Sequence, residues 1–197
     1  MHGQSPIRES SPHWDELYDT AQSQLGYFTT QQAATAGYSS QLLDKYLANG
    51  KLVRVQRSIY RLVHFPPSEE EYLVLPWLWA GRVGAFSHET ALALHDLSDA
   101  LPSKLHMTMP IAWRHRRLRV PQGLVLHYAD LSEAEQTGYS AVHITAPGRT
   151  LRDCIDANVD PDLLRQAVTQ AQRRGLISKS EEAQLNSTLE LAMSTPG

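Results

Sequence analysis

Two short helical patterns, a glycine turn and a basic strand pair follow one another within residues 26–63. The first pattern is the Ala-rich run 31–36. Either Thr29 or Thr30 can begin this helix, because a threonine hydroxyl accepts a hydrogen bond from a free backbone N–H at a helix start. Gly37 follows at the position where a positive φ costs least. The pattern therefore predicts a short helix that ends in a sharp turn.

A second helix is predicted directly after this turn, with Ser39 or Ser40 as its N-cap. Its apolar residues recur at a spacing that buries one face. They are Leu42, Leu43, Tyr46 and Leu47. Polar side chains occupy the start of the helix and its other faces, and these are Ser39, Ser40, Gln41 and Lys45. Serine, glutamine and lysine side chains donate hydrogen bonds to base edges and phosphates, so this helix is a candidate reading helix.

Two β-rich runs, 52–55 and 59–63, come after Gly50 and are joined by residues 56–58. A short polar link between two such runs is typical of a hairpin. Three arginines lie on this hairpin, namely Arg54, Arg57 and Arg61. Helix, turn, helix and basic hairpin in this order predict a winged helix-turn-helix, whose second helix lies in the DNA major groove.

Local charge favours double-stranded DNA as the partner. Residues 28–64 contain five basic side chains and one acid, a formal charge of +4, whereas the whole chain has −3. Positive charge gathered on one small module is typical of a phosphate-binding surface. Two alternatives stay open: a charged hairpin on a protein that never binds DNA, and a winged helix that mediates protein contacts instead.

The length of 197 residues suits one large or two small domains. We expect a mobile tail over 1–13, the winged helix-turn-helix over 14–66 and a small α+β domain over 67–197. Residues 14–25 have apolar positions on one stripe and predict the first helix of the winged module. The predicted fold class is therefore α+β: an N-terminal winged helix-turn-helix, then a mixed α+β domain with a C-terminal helical segment.

The second predicted domain alternates strand and helix patterns. Strands are expected at 104–109, 124–128 and 141–145, and helices at 88–97, 147–157, from 161 to Gly175, and from Ser178 to about 193. A second basic cluster lies between the first two strands and contains Arg114, Arg116, Arg117 and Arg119. It is expected either at a solvated hairpin tip or in contact with phosphate or a partner.

Nine histidines invite a metal or nuclease hypothesis. His88 and His95 are two helical turns apart, about 10 Å, which is too far to share one zinc ion. His106, His127 and His143 are expected singly in strands as hydrogen-bonded structural residues. No phosphate-binding loop, dinucleotide-binding fingerprint or nucleophile elbow occurs. The sequence therefore predicts no enzyme, no metal and no cofactor.

The single cysteine, Cys154, excludes an internal disulfide. It has helical spacing with Leu151 and Ile155, which predicts a buried structural thiol. The sequence contains no apolar run of 18 residues and no signal-peptide core at its start. We therefore expect a cytoplasmic protein without a membrane partner.

Several blocks of the sequence resemble the AbiEi-type antitoxins of type IV toxin–antitoxin systems. The blocks are 50–62, 85–102, 104–110, 123–131 and 144–153. Each block is short, but their order and spacing together are fairly specific. The resemblance extends from about residue 25 to residue 157.

This resemblance implies a function. Such antitoxins bind repeats in their own promoter through the winged helix and repress the operon. Their C-terminal domain neutralises a nucleotidyltransferase-type toxin. Carried over to this chain, the DNA contacts fall on Ser39, Ser40, Gln41, Lys45, Arg54, Arg57 and Arg61. Related wings usually have glycine where this chain has Ser58, so a strained turn is expected there.

Overall fold

The computed structural model describes residues 12–97, 99 and 102–194, and the chain divides into two compact units between Trp79 and Ala80. Most of the predicted N-terminal tail, residues 1–11, lies outside the described residues. The first unit contains α1 (Trp14–Gln22), β1 (Tyr27–Thr29), α2 (Thr30–Thr35), α3 (Ser40–Ala48), β2 (Leu52–Gln56), β3 (Ile59–Leu62) and α4 (Glu71–Trp79). The second unit contains β4 (Ala85–Phe86), α5 (His88–Leu94), β5 (Leu105–Met109), β6 (Leu124–Tyr128), β7 (Gln136–Tyr139), β8 (Val142–Thr145), α6 (Pro147–Asp156), α7 (Pro161–Arg173) and α8 (Lys179–Ser194).

The first unit is a winged helix-turn-helix, which confirms the predicted architecture. Its antiparallel sheet has the order β1-β3-β2. The sequence patterns did not predict β1, which is three residues long and pairs with β3. The core of this unit is formed by residues from α1, α2, α3 and all three strands, namely Leu17, Ala21, Phe28, Ala33, Ala36, Tyr38, Leu43, Leu52, Tyr60 and Leu62.

The predicted helix caps are confirmed. The Thr29 hydroxyl accepts a hydrogen bond from the Gln32 N–H at 3.2 Å, and the Thr29 N–H donates to Gln32 Oε1 at 2.9 Å. This reciprocal capping box begins α2. Gly37 has φ +81° in the turn, and the Ser39 hydroxyl accepts from the Leu42 N–H at 3.2 Å to begin α3.

The fourth helix belongs to the first unit and contacts β1 and β3. The Tyr27 hydroxyl donates a hydrogen bond to the Glu71 carboxylate at 2.7 Å. The sequence boundary after residue 66 assigned this helix to the second domain, because Pro66 and Pro67 break the pattern there. The break marks a loop, and the compact unit continues to Trp79.

The second unit has a five-stranded mixed sheet in the order β6-β5-β4-β8-β7. β5 pairs with β6 in parallel, from Leu105 opposite Leu124 to Met109 opposite Tyr128. The expectation of a hairpin between these strands is therefore wrong. Parallel neighbours need a crossover connection, and residues 110–123 provide it with a 3₁₀ turn at Ile111–Trp113.

Helices α5 to α8 of the second unit share one apolar core. The predicted caps are present: Asp160 accepts from the N–H groups of Asp162 and Leu163, and Ser178 forms a capping box with Glu181. Cys154 is fully buried in this core, as predicted. Among the described residues, no helix combines the length and the apolarity that crossing a bilayer requires.

Candidate nucleic-acid interface

The start of α3 exposes the polar side chains that the sequence singled out. Ser40, Gln41 and Lys45 are all exposed, whereas Leu43 on the opposite side of the helix is buried. Ser39 is exposed too, but its hydroxyl already accepts the capping hydrogen bond. This leaves Ser40, Gln41 and Lys45 as the side chains of α3 with donors directed away from the core.

The wing carries two exposed arginines. Arg54 lies on β2, where its guanidinium donates a hydrogen bond to the Tyr60 hydroxyl at 2.8 Å and lies 5.3 Å from the centre of the Tyr60 ring. The hydrogen bond and the proximity of this hydroxyl raise the pKa of Arg54. Arg57 lies in the turn, next to Ser58, whose φ is +64°. The strained turn expected at Ser58 is therefore present.

Arg61 lies on the other face of the sheet. Strand residues alternate between faces, and directly paired residues share one. Arg54 pairs with Tyr60, whereas Arg61 pairs with Val53 on β2 and Tyr27 on β1. Arg54 therefore shares the core-facing side of the sheet with Tyr60, and Arg61 points to the side covered by α4.

The Arg61 guanidinium is enclosed by hydrogen-bond acceptors. It donates to Glu71 at 2.7 Å and to the carbonyl oxygens of Leu62 and Phe65, and its side chain is only 15% exposed. Burial opposes ionisation of Glu71, but hydrogen bonds from Tyr27 and Arg61 outweigh it and lower the pKa of this carboxyl. The sequence suggested that Arg61 lies with Arg54 and Arg57 on one surface. In the structure Arg61 packs against Glu71 on the opposite face of the sheet from Arg54.

Two further charged residues lie on the same module. Lys51 is exposed and its ammonium lies 5.2 Å from the centre of the Tyr46 ring on α3. Its position just before β2 could have identified it from the sequence. Asp44 is exposed on α3 next to Lys45, and it is the one acid between residues 28 and 64. Its charge opposes phosphate binding.

The second basic patch, Arg114, Arg116, Arg117 and Arg119, lies in the crossover between β5 and β6. All four arginines are exposed. The Arg116 guanidinium stacks 4.1 Å from the centre of the Trp113 ring. This contact orders one end of the patch and leaves the charge accessible to solvent.

His106 and His127 do not occur singly, which corrects the sequence interpretation for these two residues. His106 Nδ1 lies 3.0 Å from His127 Nε2, and the His88 and His127 ring centres are 3.5 Å apart. Burial is the largest cause that lowers the pKa of each of these imidazoles, to about 3 for His88. His143, the third histidine expected in a strand, is exposed on β8.

The alternation of side chains along each strand could have indicated this grouping, provided that the register of the two strands was known. His106 pairs with Val125 across the parallel β5–β6 ladder, so His127, two residues further along β6, projects from the same face. The sequence alone did not give the parallel register, and without it the two strands cannot be aligned.

Comparison with known proteins supports a regulatory role. Residues 15–63 match a family model described as "Transcriptional regulator, AbiEi antitoxin". This range covers α2, α3 and the wing, and it confirms the resemblance for that part of the chain. It supports a role as a transcriptional regulator of the toxin–antitoxin type.

The other comparisons are distant. No curated protein matches the sequence. A crystal structure of the RV2827C protein from Mycobacterium tuberculosis is similar at 13% sequence identity and a TM-score of 0.43, with 92% of this chain and 77% of that chain covered.

Proposed function

We propose that the protein is an antitoxin that binds double-stranded DNA in its own promoter through the winged helix-turn-helix and represses the operon. The reading helix is α3, with Ser40, Gln41 and Lys45 towards the DNA. Arg54 and Arg57 of the wing contact phosphates. The proposal also assigns the second unit the neutralisation of a nucleotidyltransferase-type toxin.

The observation that carries the proposal is the exposure of four cations on one small module. Lys45, Lys51, Arg54 and Arg57 are all exposed, and only Asp44 offsets them within residues 28–64. Each phosphate contact releases condensed counterions, so such a module gains affinity from DNA without any sequence readout. Ser40 and Gln41 add the hydrogen-bonding groups that can distinguish bases in a major groove.

Arg61 is left out of the proposed DNA-binding set. Its charge is already compensated by Glu71, and contacting a phosphate would cost that ion pair. Ser39 contributes through its cap, which fixes the start of α3, and so affects binding only indirectly. The proposed contacts are therefore fewer than the sequence indicated.

Binding to the protein's own upstream DNA tests the proposal. We expect full-length protein to bind this duplex more tightly than a shuffled duplex of equal length. The logarithm of affinity should fall linearly with the logarithm of salt concentration. Lys45→Ala and Arg57→Ala should each weaken binding and reduce the salt slope by about 1.

Neutralisation is measured separately by growth rescue when the protein is co-expressed with the toxin encoded beside it. Lys45→Ala and Arg57→Ala should leave rescue intact, since both residues lie in the first unit. Arg173→Ala is the matched control for DNA binding, because it removes an exposed cation that lies in the second unit, and it should leave DNA affinity unchanged. Equal losses in both assays, or a salt slope unchanged by Lys45→Ala, would refute the assignment.

A protein-interaction module is the second candidate function. Trp14 and Tyr18 on α1 are each 40% exposed and, with Tyr46 and Lys51, line an open cleft in the first unit. Exposed aromatic residues are enriched where proteins bind one another. A stand-alone regulator without a toxin is a further alternative. Steep salt dependence of DNA affinity favours the DNA-binding function over the interaction module.

The second basic patch is proposed as a site of non-specific phosphate contact. Replacing all four arginines, Arg114, Arg116, Arg117 and Arg119, by alanine should lower affinity for the native and the shuffled duplex by the same factor. Phosphate contacts carry no sequence information, so discrimination between the two duplexes should be unchanged. An unchanged affinity for both would assign the patch to the solvated surface.

A further inference from the structure

Three histidines of the second unit bring their ring nitrogens together outside the proposed DNA interface. They are His88 at the start of α5, His106 on β5 and His127 on β6. One ligand nitrogen from each lies within 4.8 Å of the other two. A tetrahedral ion with bonds of about 2.0–2.1 Å holds nitrogen ligands roughly 3.4 Å apart. The cluster is therefore close to the spacing that one metal ion requires.

Two of the rings have an oxygen-bearing side chain near the nitrogen that would not bind the metal. His88 Nδ1 lies 2.9 Å from the Ser87 hydroxyl, which leaves Nε2 as its ligand atom. His106 Nε2 lies 3.7 Å from the Glu89 carboxylate, while its Nδ1 faces His127. Metal-binding imidazoles characteristically donate their other N–H to an oxygen acceptor, which fixes the tautomer and the ring orientation.

Ser87 is itself held in place. Its hydroxyl accepts a hydrogen bond from the Thr108 hydroxyl at 2.8 Å, and both residues are buried. The backbone N–H of His106 donates to Thr90 Oγ1 at 2.8 Å. Side chains from β5 and α5 thus support the cluster, and such supported sites are the ones that bind ions with a defined geometry.

One member of the cluster, His88, has an unusual backbone conformation. His88 has φ +52°, in the left-handed region that residues with a Cβ rarely adopt. Its side chain is buried, whereas His106 remains 19% exposed and Glu89 42% exposed, so an ion can enter from solvent. His88 and His127 stack with their ring centres 3.5 Å apart, so these two rings must leave the stacked arrangement for both lone pairs to point at a shared ion.

We propose that His88, His106 and His127 form a binding site for one divalent transition-metal ion, with Glu89 as a positioning residue for His106. Three neutral imidazoles suit Zn²⁺, Co²⁺ or Ni²⁺ and disfavour Mg²⁺ and Ca²⁺, which prefer oxygen ligands. A water molecule completes a tetrahedral site. The site lies within the second unit, and it does not rest on the proposed DNA binding.

Titration of untagged, EDTA-treated and desalted full-length protein with Co²⁺ tests this proposal. We expect visible absorption that rises to one equivalent of Co²⁺ and disappears when Zn²⁺ displaces it. Zn²⁺ should also raise the unfolding temperature, because an ion that binds only the folded state stabilises it. Absence of both effects would overturn the proposal.

Variants assign the ligands. His106→Ala and His127→Ala should abolish the absorption, and Glu89→Gln should weaken Zn²⁺ binding about 10–100-fold, as expected for an outer partner. His115→Ala removes an exposed histidine of the crossover loop and should change nothing. His127→Gln, with circular dichroism, separates loss of a ligand from loss of fold. Binding that survives both alanine variants, or is lost in His115→Ala, identifies adventitious sites instead.

Discussion

Arg61 and Glu71 form an ion pair with 2.7 Å between Nη2 and Oε1, and this pair links the central strand of the winged sheet to α4. The guanidinium also lies 5.5 Å from the centre of the Tyr27 ring. Because Arg54 pairs with Tyr60, which precedes Arg61 on β3, Arg54 and Arg61 project from opposite faces of the sheet. One basic hairpin thus supplies both the exposed guanidinium of Arg54, which we propose contacts DNA, and the internal contact of Arg61.

Breaking this pair should destabilise the first unit. We expect Glu71→Gln to lower the free energy of unfolding by roughly 1–3 kcal/mol, because Arg61 keeps its charge in a site that is only 15% exposed. Urea unfolding followed by circular dichroism measures the change. Arg57→Ala, which removes an exposed charge from the turn, should leave stability unchanged. If Arg61→Ala weakened DNA binding without destabilising the protein, Arg61 would be a DNA contact after all.

Removing the acid of the reading helix should strengthen DNA binding. Asp44 is exposed beside Lys45 on α3, so its carboxylate repels phosphates near the proposed interface. We expect Asp44→Asn to raise affinity for the upstream duplex about two- to five-fold at low salt, and less at high salt. Fluorescence anisotropy at two salt concentrations measures this. Glu190→Gln, an exposed acid on α8, is the control. An affinity that Asp44→Asn leaves unchanged at both salt concentrations would place this face of α3 away from the DNA.

Glycine at the wing turn should relieve backbone strain. Ser58 has φ +64°, where a residue with a Cβ pays a steric cost that glycine avoids. Glycine loses more conformational entropy on folding, so we expect a net gain of about 0.5–1 kcal/mol for Ser58→Gly. Thermal unfolding checks the gain. A loss of stability would mean that the serine side chain contributes to the turn more than its backbone costs.

Acid should weaken a contact of the second unit. Glu135 accepts hydrogen bonds from the Ser132 N–H and from Arg149. These bonds, of which the one from Ser132 has the larger effect, lower the pKa of Glu135 to about 2. A carboxyl with a folded-state pKa below its unfolded value of about 4.3 stabilises the fold above that value. This stabilisation is lost as pH falls towards 2. Glu135→Gln should therefore have a lower free energy of unfolding than the parent protein at pH 7. This difference should shrink as the pH falls from 4.5 to about 2.

The free energy of unfolding of Glu135→Gln and of the parent protein is measured as a function of pH. Glu133→Gln, at an exposed neighbouring position, should follow the parent protein at every pH. A difference between Glu135→Gln and the parent that stays constant down to the acid end would show that the carboxylate charge is not the source. Arg149 also donates a hydrogen bond to Asp153 at 2.7 Å. Loss of the contact between Glu135 and Arg149 would then have to act through packing.

Interactions between near neighbours in the sequence determined where several helices of this protein begin and end. The capping hydroxyls of Thr29 and Ser39, the positive φ of Gly37 and the Asp160–Pro161 helix start act over a few residues, so their outcome could be predicted from neighbours in the sequence.

Contacts between distant residues were decided only by the tertiary structure. Strand register cannot be derived from the sequence patterns, so they could not show that β5 and β6 run parallel or that His106 and His127 meet. Nor could it show that Arg61 faces Glu71, since the two residues approach only after the strand and α4 have packed. Caps and turns depend on bonds between near neighbours, whereas strand pairing and side-chain clusters depend on which segments the whole fold brings together.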